Sequence, residues 1–237
     1  MASLQFQFFD DTDANPALQL LEGFSYRPGL IEADEEAALV ARVRELPFRE
    51  FDFHGFKGKR RTVSFGWKYD FSGQALQKAD DLPDFLLSLR ARAASFAGVE
   101  PAALEHVLVT EYSPGAGIGW HRDKNVFGQV VGISLLSPCV LRFRRKKTDT
   151  SASSDLTPER KLRSVRPASQ PIDVGSTSRP TGRVSSSRQW ERVNVSAAPR
   201  SAYHLTGAAR LQWQHSILRV DGLRYSITFR TLHEERY

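Results

Sequence analysis

The sequence predicts an α+β fold in which two helices support a double-sheet jelly roll. Past His106 the chain breaks into short apolar runs punctuated by Gly and Pro, the spacing expected of strands in a two-sheet β architecture. Ahead of those runs lie two stretches with helical periodicity. In Arg224-Tyr225-Ser226-Ile227-Thr228-Phe229-Arg230 the pattern alternates residue by residue. Arg224, Ser226, Thr228 and Arg230 therefore share one face of a strand, and Tyr225, Ile227 and Phe229 share the other.

The first helical stretch, Asp34 to Leu46, sets Leu39, Val43 and Leu46 on one stripe. The second, Asp84 to Ala97, does the same with Phe85, Leu89 and Phe96 and stops before Gly98, a residue suited to ending a helix. Between them, residues 50–72 interleave aromatic and basic side chains around Gly55, Gly58 and Gly66, as a β-hairpin or paired loops would. The strands expected are His106 to Tyr112, Val130 to Leu136, Val140 to Arg144, Arg192 to Val195, Ala202 to Leu205, Arg210 to His215 and Tyr225 to Thr231. Residues 146–188 interrupt the series. They are rich in Ser, Thr, Pro and Arg, hold no aromatic residue, and carry nine Lys or Arg against four Asp or Glu. Such a segment cannot bury enough apolar surface to offset the entropy of ordering. The expectation is one domain over residues 1–237 with a disordered basic insertion at 146–188, either a tolerated surface loop or a tether for polyanions.

With 41% hydrophobic and 11% aromatic residues in 237, the chain has the means to bury a sizeable core. Cys139 is the single cysteine; beside Val140 and Leu141 it reads as buried filler and fits a reducing compartment. No basic stretch followed by an apolar run opens the chain, and about eighteen consecutive apolar residues occur nowhere, so neither export nor a membrane span is indicated. A cytoplasmic monomer, nuclear if eukaryotic, is the expectation. The formal charge of +6 comes largely from residues 146–188 and says little about the rest.

Three patches carry chemistry. In Trp120-His121-Arg122-Asp123, His121 and Asp123 are two apart and fall on one side of an extended segment. They follow the turn-prone Ser113-Pro114-Gly115-Ala116-Gly117, at the mouth of a sheet rather than in its packed middle. A distant His215, in Gln214-His215-Ser216, completes a two-histidine, one-carboxylate set of the kind that holds ferrous iron with coordination positions open to dioxygen. His204, beside the Thr206-Gly207 turn, competes for the third place, whereas His54, His106 and His233 have no carboxylate at comparable spacing. The third patch is the alternating strand. Two arginines bracketing two hydroxyls suit a dicarboxylate, because planar guanidinium groups bind carboxylate oxygens bidentately. Six residues of strand span roughly 20 Å, so both side chains would have to fold toward a shared pocket to hold the two ends of a five-carbon diacid.

These residues resemble the AlkB family of iron(II) and 2-oxoglutarate-dependent dioxygenases. The resemblance runs over roughly residues 105 to 145 and 190 to 232: Glu111-Tyr112-Ser113-Pro114-Gly115 through His121-Arg122-Asp123, then Ser134-Leu135, Leu141-Arg142-Phe143-Arg144, His215 and the Arg-x5-Arg strand. It implies a double-stranded β-helix (the jelly roll above) with a nucleotide-recognition lid, and iron(II), 2-oxoglutarate and dioxygen as cofactor and co-substrates. By the same resemblance His121, Asp123 and His215 would bind the metal, and Arg224 would pair with the distal carboxylate of 2-oxoglutarate, assisted by Tyr112 and Ser226. Arg230 would lie near the keto-acid end or the substrate. The chemistry implied is oxidative removal of an alkyl group from a nucleic-acid base, with release of formaldehyde, succinate and carbon dioxide.

Two departures bear on the substrate. Thr110 stands where nucleic-acid-repair members commonly have Asn, and Asn125 stands two after the metal aspartate, where they place an acidic residue that contacts the lesion base. A neutral amide favours a cationic methylated base less than a carboxylate does. Residues 50–72 match the lid in placement: Lys59 and Arg60 would neutralise phosphates with their basic neighbours, and Phe65, Trp67 or Tyr69 would stack on an extruded base. Arg142, Arg144 and Arg145 would extend the track on the opposite side. Alkylated DNA or RNA, tRNA included, is the expected partner, with no membrane. The competing readings are the same chemistry on a protein side chain, as a hydroxylase or lysine demethylase, and a catalytically inactive jelly-roll binding module.

Overall fold

The computed structural model describes Gln19 and residues 21–53, 56–70, 73, 75–147 and 189–233; of residues 51–53 and 56–59 it describes the backbone. His54 and most of the insertion expected at 146–188 lie outside the described residues. Contacts divide the chain into two units, Met1–Arg145 with Arg192–Tyr237, and Lys146–Glu191. Of the second only the two ends are described, where the Lys147 N–H donates to the Gln189 carbonyl at 2.9 Å.

In the first unit the chain runs β1 (Phe24–Arg27), α1 (Ala33–Arg44), β2 (Arg49–Phe53), β3 (Phe56–Phe65), β4 (Trp67–Asp70), β5 (Ala75–Lys78), α2 (Leu87–Ala97) after a 3-10 turn at Asp84–Leu86, β6 (His106–Tyr112), β7 (Ile118–His121), β8 (Phe127–Leu135) and β9 (Cys139–Lys146). Then come β10 (Trp190–Ala197), β11 (Ala202–Leu205), α3 (Gly207–Leu211), β12 (Gln214–Ile217) and β13 (Arg224–Leu232). A seven-stranded sheet has the order β1-β11-β8-β13-β6-β3-β2, and a four-stranded sheet the order β10-β9-β12-β7; β4 and β5 pair apart from both. All pairings whose register is recorded are antiparallel. Two facing antiparallel sheets with few helices are the jelly roll that the strand spacing predicts.

The large sheet's two faces are chemically distinct. One carries Val107, Val109, Val131, Ile133, Leu135, Tyr225, Ile227 and Phe229, packed with Leu39, Val40 and Val43 of α1 and Leu89, Ala93 and Ala94 of α2. These helices form because their apolar stripes have this surface to cover. The second ends as expected at Gly98, whose φ of 67° places it in the left-handed region glycine tolerates. The other face joins Tyr112, Val130, Tyr203 and Leu205 to Leu141, Phe143, Val193, Val195, Trp213 and Ile217 from the small sheet's side. Tyr203 on β11 lies so close to its register partner Gly132 on the neighbouring β8 that a Cβ there would fall 2.2 Å from the ring, so the tyrosine lies across a position of its own sheet that has no side chain.

One expected strand is corrected. Arg210 to His215 is not a single strand: Arg210 and Leu211 belong to α3, and β12 begins at Gln214. Arg210 is buried, donating to the carbonyls of Lys124 and Phe127 at 2.7 Å and of Gly128 at 3.0 Å. Tertiary hydrogen bonds of this kind override local alternation. Among the described residues no helix is long and apolar enough to cross a membrane.

Candidate active site

Registers across β3, β6, β13 and β8 align the polar residues of the inner face in rows. Arg60, Tyr112 and Arg224 form the first; Thr62, Thr110, Ser226 and Ser134 the second; His106, Arg230 and Val130 the fourth, beyond Ser64, Leu108, Thr228 and Gly132. The alternation of β13 therefore becomes two buried walls. Its arginines are not a solvated edge: Arg224 is fully buried and Arg230 nearly so. A guanidinium is held at such depth only with hydrogen-bonding or charge partners.

Among the described residues Ser134 and the Cys139 thiol are polar neighbours of Arg224. Its Nε donates to Ser134 Oγ at 3.1 Å, and its guanidinium lies over the Tyr112 ring at 5.0 Å. Among the described residues both terminal nitrogens are buried without a hydrogen-bond partner. Two parallel donors with nothing to bind match one carboxylate of a dicarboxylate ligand. Cys139 is buried nearby, where burial pushes its thiol up against the opposing effect of Arg224.

At the other end of the face the remaining groups meet. His215 on β12 is registered opposite His121 on β7, with ring centroids 4.2 Å apart. His215 Nε2 is 3.6 Å from Asp123 Oδ2. The His121 Nδ1 lies 2.9 Å from the Gly119 carbonyl, which can only accept, so Nδ1 carries the proton and Nε2 keeps its lone pair. Burial, then the neighbouring His121, pushes His215 down to about 3, and burial also lowers His121; both rings are neutral at pH 7 and able to ligate. Burial works to raise the Asp123 carboxyl, but Arg230 and the two histidines hold it well below the ordinary range.

Arg230 donates to Asp123 Oδ1 through Nη2 at 2.8 Å and Nε at 3.1 Å, and its Nη1 lies 3.3 Å from His106 Nδ1. Among the described residues that leaves Asp123 Oδ2 buried without a hydrogen-bond partner, 3.6 Å from His215 Nε2. Among the described residues no three His, Cys, Asp or Glu side chains form a finished metal cage. What the site offers is two neutral imidazoles and a carboxylate oxygen, the donor types that suit non-haem iron(II). Of the two arginines expected to clamp a diacid, only Arg224 offers open donors, since Arg230 is spent on Asp123 and His106.

The other expected residues divide. Arg60 faces the site, hydrogen-bonded to Tyr112, and burial lowers its pKa. Lys59 is on β3 with its side chain outside the described part. Trp67 and Tyr69 on β4 are partly exposed, with Lys78 and Lys124 over their rings at 5.1 and 5.0 Å. Phe65 is a correction: it is 4% exposed within the apolar cluster under the helices and has no open face for a base. Arg61, among the basic residues expected to meet phosphates, points the other way and forms a two-point pair with Glu111 at 2.8 and 2.9 Å. Asn125 is exposed on the turn after Asp123. His204 is on the helix-facing side, bonded to Gln129 at 2.8 Å, which removes it from competition with His215. Sequence reasoning missed His106, Arg210 and the role of Ser134. Only a register between β6 and β13 could have placed His106 beside Arg230.

The profile of the 2OG-Fe(II) oxygenase superfamily matches residues 23–230, nearly the whole described unit. The chain belongs to that superfamily. It is AlkB-like within it: it is 30% identical over 231 residues to the human alpha-ketoglutarate-dependent dioxygenase alkB homolog 4, covering 93% of this chain and 68% of that one. It is 23% identical over 208 residues to an Arabidopsis thaliana alkylated DNA repair protein ALKBH8 homolog, covering 83% of this chain and about half, 51%, of that relative. The solved structure of OsALKBH1 superposes with a TM-score of 0.57 at 13% identity, over 88% of this chain and 96% of the other, a likeness of fold. This 2OG-Fe(II) oxygenase is thus an enzyme that uses iron(II), 2-oxoglutarate and dioxygen. The inactive binding module gives way to it.

Proposed function

We propose that this dioxygenase removes alkyl groups from nucleic-acid bases, with His121, Asp123 and His215 holding iron(II) and Arg224, Tyr112 and Ser226 holding 2-oxoglutarate. The observation that carries the reading is a pair of orphans in one polar wall: Asp123 Oδ2 beside two neutral imidazoles, and the open end of the Arg224 guanidinium six residues along β13 from the arginine that orients Asp123. When bound, the iron supplies activation of dioxygen, which oxidises 2-oxoglutarate to succinate and carbon dioxide and places one oxygen atom on the substrate's methyl carbon. Arg224 takes the distal carboxylate in a desolvated pocket, where a charge-assisted two-point bond is strongest. Arg230 fixes which Asp123 oxygen is presented. His121, through its bond to Gly119, keeps one tautomer. A hydroxymethyl on nitrogen then collapses, the N–C bond breaking as formaldehyde leaves and the nitrogen regaining a proton.

Arg60 facing the site, with Trp67 and Tyr69 partly exposed on the following strand, supports a base and phosphate as substrate. A protein side chain is the second reading. It is favoured by the burial of Phe65, the tethering of Arg61 to Glu111 and the neutral Asn125, which narrow the surface available to a cationic base. The test is turnover of iron(II), ascorbate and 2-oxoglutarate with methylated DNA, RNA or tRNA, followed by formaldehyde and loss of methyl mass. His121→Ala and Asp123→Ala are expected to abolish succinate formation. Succinate with every nucleic acid left unmodified would move the proposal to protein substrates.

A further inference from the structure

Tyr203 is a buried polar residue of the inner face to which no role has yet been given. In Ala202-Tyr203-His204-Leu205 of β11, His204 meets Gln129 and the Phe96 ring on the helix-facing side, so Tyr203 and Leu205 fall on the inner side with Tyr112 and Val130. Register carries the ring further. Tyr203 pairs with Gly132 on β8, and Gly132 pairs with Thr228 on β13. A Cβ on Gly132 would fall 2.2 Å from Cζ of the ring and 2.4 Å from the hydroxyl oxygen, so the phenol tip stands on β8 where a side chain would be. The next inner position of that strand is Ser134, two residues or about 6.8 Å along, and Ser134 Oγ is the group to which Arg224 reaches with Nε. Phenol and guanidinium are thus neighbours over one strand. Burial raises the Tyr203 pKa well above its ordinary value, against the lowering effect of Arg224, the strongest of the charged neighbours, with Tyr112, Asp123 and Arg230 also acting on it. The hydroxyl therefore keeps its proton and is available as a donor.

We infer that the Tyr203 hydroxyl is a further co-substrate contact, donating a hydrogen bond to the same distal carboxylate of 2-oxoglutarate that Arg224 takes. The inference rests on the placement of that carboxylate at Arg224, proposed above. Packing does not require the oxygen. A phenylalanine would fill the space over Gly132 equally well, whereas a hydroxyl buried in the layer between the sheets costs stability unless a partner meets it. A carboxylate supplies such a partner, because its two oxygens offer about four lone-pair positions. The terminal nitrogens of Arg224, without hydrogen-bond partners among the described residues, fill two of them. The remaining positions suit a donor that approaches from the neighbouring site on β8. Guanidinium and phenol together then select a keto acid that ends in a carboxylate, since one that ends in a methyl group would leave buried donors unmatched.

The test is titration of the full chain loaded with cobalt(II), read by the metal's absorption, with two keto acids. One is 2-oxoglutarate. The other is 2-oxovalerate, which has the same five carbons but ends in a methyl group. Tyr203→Phe keeps the ring over Gly132 and removes only the oxygen. It is expected to weaken 2-oxoglutarate binding by about tenfold to a hundredfold, the loss of a hydrogen bond to a charged group, and to leave 2-oxovalerate binding unchanged. A ring that only packs would move both or neither. Cobalt(II) affinity and the thermal midpoint of the ligand-free variant, expected to match wild type, report that the metal site and the fold persist. Equal weakening of the two keto acids, or no weakening of either, overturns this inference alone when Arg224→Met selectively loses 2-oxoglutarate. An Arg224→Met variant that binds 2-oxoglutarate as wild type does overturns the proposed placement of the co-substrate, and this inference with it.

Discussion

On β13, Tyr225, Ile227 and Phe229 are buried in the apolar layer beneath α1 and α2, while Arg224, Ser226, Thr228 and Arg230, each one residue away, are buried as deeply on the other side. The outer three meet hydrocarbon and close packing. The inner side brings together hydroxyls, a carboxylate and an imidazole, and among the described residues Asp123 Oδ2 and the two terminal nitrogens of Arg224 are left without hydrogen-bond partners. Equal burial therefore has opposite consequences. The helix-facing side stabilises the chain by removing apolar area from water, whereas the inner side carries uncompensated polarity that costs stability until ligands arrive.

The sharpest way to break that contrast is Arg224→Met. It should weaken 2-oxoglutarate binding by about 2–5 kcal/mol, roughly 30- to 5,000-fold, yet leave the ligand-free protein as stable or more stable by about 1–4 kcal/mol, since a buried charge is exchanged for a methyl-capped chain. Calorimetry with 2-oxoglutarate and thermal melts without it read both halves; a destabilised ligand-free variant would mean that Arg224 is satisfied in the free protein. Phe229→Ala should do the reverse. Deleting a fully buried ring costs about 3–5 kcal/mol, roughly 6–20 °C in Tm for a chain of this length, while 2-oxoglutarate affinity at low temperature stays near wild type.

His106→Ala tests the inner side more finely. Burial, then Arg230, holds His106 well below its ordinary value, so its Nδ1 is an acceptor for the guanidinium that orients Asp123. Losing that acceptor should weaken metal binding by about tenfold, the lower end of what groups behind the ligands contribute, measurable by titration with cobalt(II), and His106→Asn should recover part of it. The smallest effect belongs to Glu111 on the helix-facing side. Its bond from Arg61, which outweighs the raising effect of burial, holds its pKa below the ordinary 4.5. A carboxyl depressed on folding contributes stability that is present above 4.5 and is lost as pH falls through its folded value. Glu111→Gln should therefore flatten the acid limb of a stability profile below that pH and leave pH 7 turnover unchanged.

The sequence by itself determined which residues would face each other along a strand. Period-two alternation in residues 224–230 is a local consequence of backbone geometry, and the apolar stripes of α1 and α2 are equally local, so jelly roll, supporting helices and the histidine, aspartate and arginine candidates were legible without coordinates. The aromatic residues of 50–72 were only half legible: Phe65 and Trp67 look alike in a basic, aromatic segment, and which of them meets the core depends on the pairing of β3 with β6. The tertiary structure alone decided that Arg230 answers Asp123 rather than a diacid, that His106 backs Arg230, that Arg210 ends a helix instead of starting a strand, and that Arg142 and Arg144 close around Trp120. Each of these depends on register between strands far apart in the chain, and a contact between distant strands leaves no periodic signal in either one.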